Sequence, residues 1–165
     1  MRAAPSMLVL ALTAALAACS QGSSSSSASS GDSVVPTPQA PPTADQIKAE
    51  VASLPAPYNG GDYEAGKNVF AQCAACHTAT EGGPNMTGPN LYGIFGRKQG
   101  AAPNFYYSDG LKARGETWDA AKIDTWITNP RALVPDTHMT FPGLHNPTDR
   151  INVIAYLKVT TSPRS

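Results

Sequence analysis

Residues 73–77 read Cys-Ala-Ala-Cys-His. Two thiols three positions apart, followed at once by an imidazole, can do a specific job. Each cysteine can form a thioether with one vinyl group of a haem, and the histidine then reaches the iron from the same side of the ring. Ala74 and Ala75 are small enough to let the backbone lie close to the macrocycle. Two other chemistries compete. A zinc site needs two more ligands, but the rest of this domain has no cysteine, and its remaining histidines, His138 and His145, are seven apart rather than three to five. A thioredoxin-like dithiol would follow a strand in a βαβ pattern, and the sequence shows none. The motif is read as covalent attachment of one haem.

A haem iron held by His77 has either a sixth ligand or an open position, and that choice separates a carrier from an enzyme. The candidates are Met86, Met139, His138 and His145. Met86 is close behind the motif and would have to wrap round the ring edge within TATEGGPNM. Met139 lies in PDTHMTFPG (135–143), between Pro135 and Pro142, where the prolines can hold a side chain fixed. A loop methionine that touches no iron is the alternative.

Other segments must position these residues. At the N-terminus, MLVLALTAALAA (7–18) is an apolar run too short to span a bilayer and suited to a signal h-region. It ends in LAAC (16–19), which looks like a lipobox. The expectation is a signal peptide over 1–18 and acylation of Cys19; the alternative is an ordinary secretory cleavage. Residues 22–42 are nearly all Ser, Gly, Pro, Ala and Thr, with Val34 and Val35 the large apolar exceptions. Such a segment cannot offset the entropy of ordering. Residues 19–57 are therefore expected to form a lipid-anchored tether with a mean reach of about 35 Å. Within it, 44–54 can form a short helix: Thr43 and Gln46 have capping-box spacing, and Ile47, Val51 and Leu54 share a face.

Residues 58–165 then form one domain, with room for a single small core. Twelve Lys and Arg balance twelve Asp and Glu. No basic stripe appears, so nucleic-acid binding is not expected. The periodicities are helical. Ala65, Val69 and Phe70 share a face leading into Cys73, and Ile123, Trp126 and Ile127 share another before Pro130. NPTDRINVIAYLK (146–158) has Asn146 at a cap, Pro147 at the first helical position and Asp149 in the first turn.

From Gly61 to about Lys158 the sequence resembles the class I cytochromes c, within them the mitochondrial-like group. TGPNLYGIFGRKQGAAPNFYYSD (87–109), GETW (115–118), NPRALVPDTHMTFPGL (129–144) and IAYLK (154–158) carry the resemblance. It implies an all-α fold of about four to five helices wrapped round one covalent haem c, with His77 and Met139 as axial ligands. It also implies that the Pro89 carbonyl accepts from the other His77 nitrogen, and that Arg97, Tyr107 and Trp118 hydrogen-bond the haem propionates. Thr137 and Phe141 would flank the methionine. Gly66 and Phe70 would cross Tyr156 on the last helix.

Three positions depart from the group. Trp126 stands where a tyrosine usually hydrogen-bonds near the methionine sulfur, and its indole N–H can donate but not accept. Leu111 replaces a frequent asparagine, and Asp136 replaces a glycine. These changes bear on the reduction potential and not on ligation. The resemblance implies a monomeric one-electron carrier and not an enzyme, and the signal run with LAAC adds the expectation that it is exported and lipid-anchored on the periplasmic side. Its donor and acceptor would be membrane redox complexes, such as a bc-type complex and a terminal oxidase. Two other functions stand beside this one: an electron-entry module for one periplasmic dehydrogenase or reductase, and a haem peroxidase or gas-binding protein. The last would need an open sixth position.

Overall fold

The computed structural model describes residues 40–163. The expected signal segment 1–18, the lipidation site Cys19 and the tether up to residue 39 lie outside the described residues. Six helices follow in chain order: α1 (Ala44–Ala52), α2 (Tyr63–Ala74), α3 (Asp109–Ala113), α4 (Ala120–Thr128), α5 (Pro130–Leu133) and α6 (Pro147–Thr161). One isolated antiparallel bridge, Lys98 to Thr117, joins two loop segments, and the described residues contain no sheet.

Each helix begins on a side chain that takes up an orphan backbone donor. Thr43 and Gln46 form the expected capping box on α1. Asp62 accepts from Ala65 N at 2.7 Å on α2, Asp119 from Lys122 N at 2.8 Å on α4, and Asn146 from Thr148 N at 2.9 Å on α6. Asn129 ends α4 and caps α5, accepting from Ala132 N at 3.0 Å. Pro130, expected only as a stop, therefore also opens a one-turn helix at its first position.

The centre of the domain is the crossing of α2 and α6. Gly66 makes the close approach possible: a Cβ there would lie 2.0 Å from the Asn152 carbonyl oxygen. Phe70 and Tyr63 lean on the Tyr156 ring with centroids 5.0 and 5.3 Å away. Val153, Ile154, Ala155 and Val159 of α6 are almost completely buried. That burial carries α6 to Thr161, past the expected end at Lys158. Thr161 is fully buried and its hydroxyl donates to the Leu157 carbonyl at 2.7 Å.

The helix expected at 44–54, which the sequence left free either to fray or to lie against the domain, packs on it. Residues 43–57 belong to the domain. Val51 and Leu54 are buried in the same core as α6, and Ile47 packs against it. Glu50 reaches Lys158 Nζ at 3.1 Å and accepts from the Ser162 hydroxyl at 3.3 Å. Burying two such side chains is worth roughly 1.5–3 kcal/mol each, more than a nine-residue helix loses by fraying.

A buried polar knot holds the other end of α6. Arg150 pairs with Asp124 of α4, and its guanidinium also donates to the Leu144 and His145 carbonyls at 2.9 and 3.1 Å. The Tyr58 hydroxyl donates to the second Asp124 oxygen at 3.2 Å. The loop that enters α6 is fixed by this knot.

Candidate functional site

The last turn of α2 delivers Cys73, and the chain bends sharply after it. The Cys73 carbonyl accepts from Cys76 N at 3.0 Å and from His77 N at 2.9 Å. That turn brings Cys73, Cys76 and His77 to one wall of a pocket of about 360 Å³. Leu91, Ile94, Leu111, Trp118, Ile123 and Leu144 supply much of its apolar lining.

His77 is held in one orientation. Its Nδ1 lies 2.7 Å from the Pro89 carbonyl oxygen. A carbonyl can only accept, so Nδ1 carries the proton and Nε2 keeps its lone pair. Burial pushes the imidazole below its ordinary range, the Pro89 hydrogen bond raises it, and the Arg97 charge lowers it again. The ring is therefore neutral near pH 7, as an iron ligand must be. Gly88 lies directly against it: a Cβ there would sit 2.3 Å from Cε1 and 2.7 Å from Nε2. The Cys73 thiol is pushed up to about 11, first by burial and then by Cys76.

Of the four candidate sixth ligands, Met139 and His138 line the pocket, while Met86 and His145 do not. Met86 is 47% exposed. Met139 sits in a loop braced from within. Thr137 is buried, its N–H donates to the Val134 carbonyl at 3.0 Å, and its Oγ1 accepts from Met139 N at 3.2 Å. Phe141 lines the pocket beyond it. His138 is exposed, and its ring stacks on Tyr106. Among the described residues no three His, Cys, Asp or Glu side chains converge to hold a metal ion unaided.

Arg97, Tyr107 and Trp118 all line the pocket. The Arg97 guanidinium donates to the Asn90 carbonyl at 3.0 Å and the Tyr92 carbonyl at 3.1 Å. Burial draws it below its ordinary value, with Tyr107 acting against that. Among the described residues no carboxylate is within ion-pair distance of it. A half-buried cation on an apolar pocket with carbonyl partners alone suits a ligand that brings its own carboxylates, as the propionates of a haem would. Trp126 meets Trp118 edge to face with centroids 5.8 Å apart, and Leu111 is buried on the same lining. The residues present fit a haem.

Sequence reasoning assigned no role to Gly88, Asn90 or the partner of Asp136. Asn90 organises the loop after the motif. Its amide donates to Thr78 Oγ1 and to the Thr80 and Gly83 carbonyls at 2.7–2.9 Å, and its oxygen accepts from Tyr92 N at 2.6 Å. The signal for both lay in the quoted run TGPN, where a residue without a side chain precedes the proline that receives His77.

Residues 63–161 match the family described as cytochrome c. The chain is 52% identical over 97 residues to cytochrome c2 of Rhodoblastus acidophilus, covering 59% of this chain and 91% of that protein. It is 48% identical over 97 residues to cytochrome c-554 of Methylosinus trichosporium, covering 59% and 74%. It is 41% identical over 103 residues to cytochrome c of Ginkgo biloba, covering 62% and 91%.

Proposed function

Because the chain belongs to the cytochrome c family, electron carriers with one covalently attached haem c, we propose that it shuttles single electrons between redox complexes facing the periplasm, held to a membrane by a lipid on Cys19. The observation that carries the reading is the joint placement of Cys73, Cys76, His77 and Met139 on one apolar pocket. When bound, haem c supplies an iron that alternates between the ferrous and ferric states.

The chain's own residues set the conditions for that exchange. Cys73 and Cys76 form the two thioethers. His77, its Nδ1–H held by Pro89, presents Nε2 to the iron, and Met139 presents its sulfur. With His77 and Met139 as its two protein ligands, the iron would keep no position for substrate, which favours a carrier over a peroxidase or gas-binding protein. Trp118, Trp126, Leu111 and Phe141 keep water from the ring, so little solvent reorganises when the charge changes. Arg97 and Tyr107, with Trp118, answer the propionates. Thr137 and Phe141 hold the methionine side.

The membrane reading rests on the LAAC sequence and on the Ser- and Pro-rich segment after it. Among the described residues no helix is long and apolar enough to cross a membrane. A bc-type complex and a terminal oxidase are the proposed donor and acceptor. From Tyr58 onward ten Lys and Arg stand against nine Asp and Glu, a net of +1. Long-range steering is then weak, and confinement near the membrane takes its place.

Two measurements test the reading. The ferric haem-loaded protein should show the weak near-infrared band of a methionine–iron bond, and Met139→Ala should abolish it. A wild type without the band, matched by an unchanged Met139→Ala spectrum, ends the carrier assignment. Fractionation should place the wild type with membranes and Cys19→Ser in the soluble or unprocessed fraction; a mature chain with unmodified Cys19 rules out the anchor.

A further inference from the structure

Two contacts tie the loop that carries Met139 to the start of α3. Asp136 Oδ2 accepts from Gly110 N at 2.9 Å, across 26 residues of chain. The fit is close: a Cβ on Gly110 would lie 2.2 Å from Asp136 Oδ1 and 2.9 Å from its Cγ. Gly110 is in the first turn of α3, where backbone N–H groups have no partner within the helix. Ser108 takes the Leu111 N–H at 3.4 Å, and Asp136 takes the Gly110 N–H. Two residues further on, the His138 ring stacks on Tyr106 with centroids 5.5 Å apart and planes 19° from parallel. Tyr106 is 76% exposed. Lys112 Nζ lies 5.6 Å from the centre of the same ring and is held by Asp109 at 2.7 Å.

Asp136 and Tyr106 are both exposed, so burial does not account for either contact, although a Cβ on Gly110 would also come within 3.0 Å of the buried Val134 Cγ1. A carboxylate with no task would extend into water, and an alanine at 110 would serve the helix better than glycine by about 1 kcal/mol. The chain instead keeps a glycine there, and the carboxylate occupies the space. Between the two contacts lies Thr137, buried and bonded to Val134 and Met139. Positions 136, 137 and 138 are thus all held just before Met139. Replacing the methionine sulfur on the iron by another ligand requires this loop to swing away, and each contact must break for that to happen.

We propose that Asp136 and Tyr106 are positioning residues, a clasp that holds the Met139 loop against α3 and so keeps small ligands from displacing the methionine. This rests on Met139 as the axial ligand. Asp136 lies off the pocket and acts through the loop alone, whereas Tyr106 also lines the pocket.

The test is titration of the ferric, haem-loaded full chain with imidazole, followed by loss of the near-infrared methionine–iron band. Asp136→Ala should bind imidazole roughly five- to tenfold more tightly than wild type, the effect of one lost hydrogen bond. Asp136→Asn keeps an acceptor oxygen and should stay within about twofold. Tyr106→Ala should gain roughly two- to fivefold, and Tyr106→Phe, which keeps the ring, should match wild type. The double variant Gly110→Ala/Asp136→Ala separates positioning from stability. It should recover part of the thermal stability through helix propensity, the new Cβ still crowding Val134 Cγ1 at 3.0 Å, and still bind imidazole tightly. If Asp136→Ala shows the band and wild-type imidazole affinity, the clasp is wrong while Met139 ligation stands. If the double variant recovers both stability and imidazole resistance, Asp136 is structural only. A wild type without the band removes Met139 ligation and the clasp with it.

Discussion

Replacing Gly88 by alanine should damage the haem site through His77 alone. The added Cβ would sit 2.3 Å from Cε1 and 2.6 Å from Nδ1 of the imidazole. Carbon atoms rest comfortably at 3.5–4.0 Å, so something must move by more than about 1 Å. The backbone has little room to do it. Gly88 N donates to the Cys76 carbonyl at 2.8 Å, and Gly88 O accepts from Met86 N at 2.8 Å. The ring therefore moves and loses its 2.7 Å bond to Pro89. Overpacking costs about 1–3 kcal/mol and a buried polar group left unpaired about 1–3 kcal/mol more, so the sum is roughly 2–6 kcal/mol. For a domain of this size that lowers Tm by about 10–20 °C. Thermal denaturation of the ferric, haem-loaded protein measures the drop, and the reduction potential should shift with the reoriented imidazole. Gly60→Ala is the control, because nothing lies within 4 Å of a Cβ there. A Gly88→Ala protein that melts with the wild type and keeps its potential would show that His77 is not held between Gly88 and Pro89.

Other outcomes follow from the same contacts. Leu54→Ala should lower stability by roughly 2–3 kcal/mol by hollowing the seat of α1, whereas Glu50→Gln should cost under about 1 kcal/mol; chemical denaturation separates the two. The Tyr58 phenol is raised above 10.0, first by burial and then by the Asp124 carboxylate. Its stabilisation is fully present below pH 10 and is lost as pH climbs through the raised value, so Tyr58→Phe should flatten the alkaline limb of a Tm–pH profile. Electron transfer from a soluble version lacking residues 1–39 to a membrane oxidase should be slow and only mildly salt-sensitive near pH 7.5. A steep fall in rate between low and moderate salt would reveal a basic docking face instead.

The local rules were legible in the sequence. Thr43, Asn146 and Pro147 mark helix starts that the structure keeps, because a cap is decided within three or four residues. The His77–Pro89 pairing followed from the resemblance, and the haem cysteines from the motif alone. What could not be read is what joins distant segments. The seating of Val51 and Leu54 on α6 needs a partner a hundred residues away, and a short apolar face looks the same whether docked or frayed. Asp136 read only as a missing glycine; its partner Gly110 is apparent only once α3 and the methionine loop meet. Gly88 was invisible for a related reason: the ring it touches belongs to another turn of chain. The extension of α6 to Thr161, beyond the stretch 146–158 that carried the helix signals, came from burial.

The crossing at Gly66 and Asn152 also has a consequence for the order of events as the protein is made. The two helices that meet there are separated by most of the domain, and α6 is the last to be synthesised. Their contact must close a loop of more than seventy residues, a cost in chain entropy that nothing local repays in advance. Until that helix docks, the wall it contributes through Val153 and Leu157 is missing from the pocket. Cys73 and Cys76, by contrast, are among the first residues of the domain to appear. A chain in which α2 and α6 have not yet met therefore presents its two thiols on an unclosed scaffold, and docking of the distant helix seals the compartment afterwards.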